Sequence, residues 1–212
     1  MAFRFWWETE EVAHEAGQEN KAQNELTKST GDSGSVSNSV TGFDENLMEK
    51  LLRKKIYFVF QGMQYPNEFA DGYIYAGCSS KEASWNRLAE VKKGDIIIHA
   101  YQGYIRAISV AKDKCHIAPR PWCHYDMRHP NADKGYRVDT EYKELRFEMQ
   151  LKKYIPDIVR LQGNHRGKGY PFNKNGTGNQ GYLFNMNKNL ALMFIQEMTR
   201  RDSSIIDWLL SR

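Results

Sequence analysis

Long apolar runs are missing from this chain of 212 residues: no window approaches the about eighteen continuous apolar residues of a membrane-spanning helix. The start, Met1-Ala-Phe-Arg-Phe-Trp-Trp-Glu8, is too short and turns acidic too soon for a secretory signal peptide. Cysteine is scarce and odd in number. Cys78, Cys115 and Cys123 do not make a disulfide scaffold, which suits a reducing compartment and predicts a cytoplasmic protein. Catalytic signatures are missing as well. There is no G-x-x-x-x-G-K-[ST], no G-x-S-x-G, no C-x-x-C, and no pair of carboxylates set for acid–base work. The expectation is a binding module with no catalytic site, no cofactor and no metal of its own.

What is present is enough for a core: 41% hydrophobic and 13% aromatic residues. Charge is divided unevenly. Residues 1–45 carry three basic side chains (Arg4, Lys21, Lys28) against nine acidic ones, a net of −6, and the remainder carries 27 against 17, a net of +10. A basic body with an acidic leader suits a polyanionic partner, although solubility alone accounts for such a charge equally well. Residues 1–28 read as an acidic N-terminal segment, and the Ser/Gly-rich stretch 29–43 as a flexible linker. The folded domain is expected over 44–212, with Asp44 capping a short helix through Arg53.

Within it, Glu90 to Ala111 is the most informative stretch. Lys92-Lys93-Gly94-Asp95 is a polar turn, Ile96 to His99 a β-branched run, Gln102-Gly103 a second turn, and Ile105 to Ala111 another apolar run. Such runs between glycine turns predict a buried hairpin. Further strands are expected over Ile56–Phe60, Gly72–Gly77 and Gly135–Tyr142, with Glu144–Lys152 continuing the sheet. Helices are expected over Ser84–Glu90, Ile155–Leu161 and Asn187–Arg201, and a last one capped by Ser203 or Ser204. No internal repeat and no βαβ alternation occurs. The pattern predicts an α+β fold: a small, partly open barrel with peripheral and C-terminal helices.

Three groups of residues invite a functional reading. Tyr65, Tyr73, Tyr75, Trp85, His99, Tyr101 and Tyr104 offer aromatic faces for an unpaired base, with Gln61 or His99 to read its edge. By spacing alone, ordinary core and sheet-face packing explains them better. The loop from Gly163 to Gly181 combines Arg166, Lys168, Lys174 and Asn175 with glycines that let backbone N–H groups approach phosphate. A floppy surface loop is an equal alternative. Cys115-His116, Cys123-His124 and His129 suggest zinc, but their spacing fits no closed Cys/His site.

The segments Lys55–Tyr65, Gly72–Ala76, Trp85–His99, Tyr104–Ala111 and Pro171–Phe184, in this order, resemble the EVE-like (PUA/YTH superfamily) modules of modification-dependent restriction proteins. Those modules are attached to McrB-type GTPases or HNH nucleases. The resemblance covers about residues 55–200. It implies a PUA-like barrel that flips a modified base of double-stranded DNA, a 5-substituted cytosine, into an aromatic pocket. By that likeness the pocket is Gln61, Tyr73, Tyr75, Trp85, His99 and Tyr101, and Arg166, Lys168, Lys174 and Asn175 hold the backbone. A nuclease or GTPase subunit or domain is the implied partner. N6-methyladenine as the base, an RNA-reading module of the PUA/YTH kind, and a small nucleoside hydrolase stay open beside it. The last needs a Lys or acid at the pocket floor, where Asp95 belongs to its turn.

Overall fold

The computed structural model describes residues 49–51, 53–77, 83–124 and 133–212. The chain divides into residues 1–44 and 45–212, and every described residue belongs to the second unit. The expectations for residues 1–48 therefore lie outside the described residues; the expected helix through Arg53 is seen at 49–51.

Strand β1 (Ile56–Gln61) leads into helix α1 (Tyr65–Asp71) and strand β2 (Tyr73–Gly77). Helix α2 (Ala83–Asn86) continues as a 3₁₀ turn, Arg87–Glu90, before strands β3 (Ile96–Tyr101) and β4 (Tyr104–Ala111). Then come β5 (His116–Pro119), β6 (Lys134–Gln150), α3 (Ile155–Gln162), β7 (Leu183–Asn185), α4 (Lys188–Arg201) and α5 (Ser204–Leu210). The sheet order is β2-β6-β4-β3-β1-β7, with β5 also on β6.

The expected hairpin forms as β3 and β4, turning at Gln102 (φ 48°) and Gly103 (φ 81°). Two consecutive left-handed residues match the right-handed strand twist, which is why Gly is needed there. Strand β1 lies parallel to β3, from Ile56↔Ile96 to Gln61↔Tyr101. A parallel pair needs a crossover, and α1, β2 and α2 supply it.

Strand β6 curls the sheet. Its first part, Gly135–Asp139, pairs with β2, while Thr140–Gln150 pairs with β4 through an irregularity between Ile105 and Ala107. One strand serving two partners in succession turns the sheet into a partly open barrel. The two stretches expected on either side of Lys143 are thus one strand, and Lys152 falls in the 3₁₀ turn after it.

One end of the barrel is apolar. Tyr57, Val59, Ile74, Ala76, Leu88, Ile97, Val138 and Leu183 pack there. The opposite face of β1 carries Phe58 and Phe60 against Phe172, Phe184 and Phe194, with ring centroids 5.2 Å apart for Phe58–Phe172 and 5.9 Å for Phe60–Phe184. The result is an α+β fold with a curled, partly open PUA-like barrel and helices at its edges and C-terminus.

Elements that sequence patterning did not reveal are α1, β5 and β7. The cap of α5 also differs from expectation. Asp202 Oδ1 accepts from the Ser204 N–H and Oγ, whereas Ser203 makes no side-chain cap. The carboxylate holds the Ser204 N–H and hydroxyl, and thereby supplies the cap from one residue further upstream.

Candidate nucleic-acid interface

The other end of the barrel is polar and buried. Gln61 closes β1, and in the parallel register Val59 faces His99. His99 is fully buried between Gln61 Oε1 (2.7 Å from Nδ1) and Ser109 Oγ (2.7 Å from Nε2). Gln61 Nε2 donates to Glu68 Oε2 of α1 and, more weakly, to Tyr142 Oη at 3.4 Å. Glu68 is 0% exposed, and its Oε1 accepts from the Tyr75 N–H (3.0 Å) and from Tyr182 Oη (2.7 Å). Tyr142 Oη donates to the Tyr73 carbonyl at 3.1 Å.

Donor directions follow from this set. The Gln61 amide N–H must face the carboxylate, so its carbonyl faces His99. Nδ1 therefore carries the imidazole proton, and Nε2 accepts from Ser109. Burial lowers the His99 pKa to about 3, so the ring is neutral at physiological pH. Burial, with the nearby Glu68 charge adding to it, pushes the Tyr142 and Tyr182 phenols well above their ordinary range, and both stay protonated donors. A carboxylate ringed by neutral donors in a buried site is a strong acceptor for any further N–H brought to it.

Of the residues singled out in the sequence, Gln61 and His99 are brought into direct contact. Tyr73 and Tyr75 are not on their face. Alternation along β2 turns Ile74 and Ala76 inward, so Tyr73 and Tyr75 lie on the reverse side. There the Arg137 guanidinium covers Tyr73 at 4.2 Å, and Cys123 Sγ lies 3.5 Å from Tyr73 Oη. Tyr75 packs over Gly135 and meets the His124 ring at 4.8 Å. Tyr75 joins the polar end through its backbone N–H. Trp85 packs half-buried against the apolar end. Tyr101 stacks on Tyr65 at 5.0 Å, and the aromatic row continues through Phe69 to Tyr142 and His99. Beside that row opens a hollow of about 420 Å³, floored by Phe69 and Tyr142 and rimmed by Lys143, Arg146, Glu144 and Asp202.

The glycine-rich loop is built rather than floppy. Asn173 Oδ1 accepts from the N–H groups of Asn175 (2.9 Å) and Thr177 (3.3 Å), and Asn173 Nδ2 donates to Thr177 Oγ1 (2.6 Å). Gln162 and Asn179 tie it further, to Asn173 and to Gly167 and Tyr170. Its tip, with exposed Lys174 and Asn175, settles on α3 through Gly176, whose left-handed backbone (φ 76°) suits glycine and where a Cβ would press to 3.0–3.1 Å on Val159 and Ile155. Arg166 and Lys168 are exposed. The loop meets the polar end of the barrel through Tyr182, its closing residue.

The Cys/His residues face separate partners. Cys115 Sγ turns to the His116 carbonyl, His116 lies 3.9 Å from Asp139, Cys123 faces Tyr73 and His124 faces Glu68. His129 is outside the described residues. Sequence reasoning missed Glu68, Ser109, Tyr142 and Tyr182. For Glu68 a signal existed: an acid at helical spacing from Tyr65 and beside Phe69, on a stripe that is otherwise apolar.

No protein-family model and no curated protein matches the chain. Among solved structures, a Pseudomonas syringae protein is 13% identical over 66% of this chain and 97% of its own, with a TM-score of 0.45. The N-terminal domain of Staphylothermus marinus McrB is 12% identical, covering 68% and 94%, with a TM-score of 0.42. A Toxoplasma CPSF4-YTH domain is 9% identical, covering 70% and 88%, at 0.39. Likenesses of this size decide neither family nor ligand.

Proposed function

We propose that this chain is a nucleic-acid-binding specificity module that reads a modified base, a 5-substituted cytosine in double-stranded DNA, and performs no catalysis of its own. It serves a modification-dependent restriction system, with a nuclease or GTPase as the partner that acts on the DNA. The observation that supports this best is the polar end of the barrel. Gln61, His99 and Glu68 are fixed there in one hydrogen-bonded chain beside the rings of Tyr142 and Tyr182, and Glu68 also meets His124, which lies on the face of β2 that carries Tyr73 and Tyr75. Edge-reading groups beside aromatic faces are what an extruded base requires. The sequence resemblance to EVE-like modules points the same way.

The energetics are reasonable. Extruding a base costs a few kcal/mol, and stacking on aromatics offsets about 1–3 per base. Phosphate contacts supply the remainder, from Arg166, Lys168, Lys174 and Asn175 on the loop, and from Lys143 and Arg146 at the hollow.

Anisotropy titration with matched duplexes, modified and unmodified at one cytosine, tests the reading. The modified duplex is expected to bind at least about tenfold tighter, and equal affinities would sink the proposal. Tyr75→Ala, checked for folding by its melting curve, should abolish discrimination and leave non-specific binding. Lys174→Ala should weaken both duplexes alike. If single-stranded RNA carrying a modified nucleotide outcompetes the duplex, the ligand is RNA instead.

A further inference from the structure

The carboxylate of Glu68 has a visitor that does not belong to the barrel. A carboxylate has about four acceptor positions. Gln61 fills one on Oε2, and the Tyr75 N–H and Tyr182 Oη fill two on Oε1. These three donors come from β1, β2 and the segment before β7, so none leaves without breaking the barrel. His124 makes a third approach to Oε1, beside the two donors already there. Its Nε2 lies 3.2 Å from Oε1 but out of line, and it has no hydrogen-bond partner although it is buried.

His124 comes from a surface turn, Pro121–His124, closed by its N–H donating to the Pro121 carbonyl at 3.0 Å. Trp122 in the same turn is 84% exposed, while Cys123 rests against Tyr73, so the turn lies on the outer face of β2 with Trp122 in solvent. The imidazole stands edge-on to the Tyr75 ring, with centroids 4.8 Å apart at 60°, and 6.1 Å from the Tyr73 ring. A planar nitrogen heterocycle is thus already held between an aromatic wall and a buried acceptor. The heterocycle is misaligned, and it is carried by a surface turn rather than by a strand or helix of the barrel.

We propose that this place is a binding site for a planar heterocycle bearing an N–H donor, with that donor going to Glu68, and that His124 is its resident occupant, displaced when the ligand enters. The identity of the ligand rests on the base-reading proposal above: an extruded cytosine or adenine, whose exocyclic amino group supplies the donor. Glu68 is then the specificity-determining residue, and Tyr75 gives the ring its wall. A purely structural His124–Glu68 contact predicts something different, namely that removing His124 only loosens the fold.

His124→Ala in the full chain separates the two. Imidazole, with ionic strength held constant, should raise the melting temperature of His124→Ala saturably and leave the wild type unmoved. His124→Ala should also bind a 5-methylcytosine duplex several-fold tighter than the wild type, because the competitor is gone. Replacing that base by its N4,N4-dimethyl derivative, which has no amino hydrogen, should cost about tenfold or more in binding to the wild type and nothing in Glu68→Met, whose side chain offers no oxygen acceptor. Imidazole without effect on His124→Ala overturns the proposal, as does Glu68→Met discriminating like the wild type. If Glu68→Met does not fold, the imidazole result alone decides. If imidazole binds His124→Ala while no variant prefers the modified duplex, the heterocycle site stands and the base-reading proposal falls.

Discussion

His99 makes the stability of this domain depend on pH in a defined direction. Burial holds its pKa at about 3, against 6.5 for an ordinary histidine. The unfolded chain therefore takes up a proton near pH 6.5, which the folded chain refuses until about 3. Stability from this residue is complete above pH 6.5 and is lost as pH falls toward 3. At ~1.4 kcal/mol per pH unit, the loss between pH 6.5 and 4.5 is ~2–3 kcal/mol, a sizeable part of a domain's usual 5–15. Glu197 does not contribute in that window. Hydrogen bonds from Arg200 and Arg201 hold its carboxyl at about 2, so its share is lost only below pH 4.5. Asp95, raised by burial, works in the opposite sense, and comparison with a variant cancels it. Urea unfolding of wild type and His99→Gln at pH 7.5, 6.5, 5.5 and 4.5 gives the measurement. Glutamine keeps a donor and an acceptor but has no proton to gain. The stability difference between the two proteins should be constant above pH 6.5 and then move in favour of the variant by about 1 kcal/mol per pH unit. Two parallel curves would refute the reasoning about His99.

Three other perturbations test separate parts of the structure. A Cβ at Gly135 would lie 2.4 Å from both the Ala76 carbonyl oxygen and the Tyr75 ring, so Gly135→Ala should destabilise by about 2–3 kcal/mol in urea unfolding; because one clash is with backbone, Tyr75→Phe should not relieve it. Asn173→Ala removes three hydrogen bonds of the basic loop, and faster amide exchange at Asn175 and Thr177, with the global melting temperature changed by only a few degrees, is the expected signature. Lys143→Ala combined with Arg146→Ala takes two cations from the rim of the Phe69–Tyr142 hollow; if phosphate lies there, the salt dependence of DNA binding should become shallower by a slope of about 2 with discrimination retained.

Much of the sheet was legible in the sequence because its strands obey local rules. Ile96 to Ala111 announces a hairpin through β-branched runs and a Gln-Gly turn, and the turn carries the two left-handed residues such a hairpin needs. The short elements were not legible. Strand β7 has three residues, too few to show a period, and exists because β1 offers it a partner at Phe58↔Phe184. Helix α1 had its punctuation in place: Pro66 just inside its start and Gly72, at φ 70°, just past its end. Seven residues were too few for a periodic signal.

The candidate site was legible only in part, and parity explains why. The alternation of Gly72–Gly77 announces a strand with two faces but does not say which face is inside. Grouping Tyr73 and Tyr75 with Gln61 and His99 assumed that the aromatics line the interior, whereas the smaller Ile74 and Ala76 fill it. What joins the two groups is Glu68, and its partners are scattered: Gln61 and Tyr75 are each seven positions away, and Tyr182 is 114. A charged residue on an apolar helical stripe states a demand, because a buried carboxylate without donors would cost several kcal/mol. The sequence shows that demand locally. The donors that meet it are assembled only when the barrel closes, so residues that are ordinary in one dimension (a glutamine after a strand, a tyrosine ending a loop) acquire their role from topology. Glu68 is where a local anomaly in the chain and the geometry of the closed barrel coincide, and its replacement, before that of any aromatic, is the sharpest test of the proposed reading of a base.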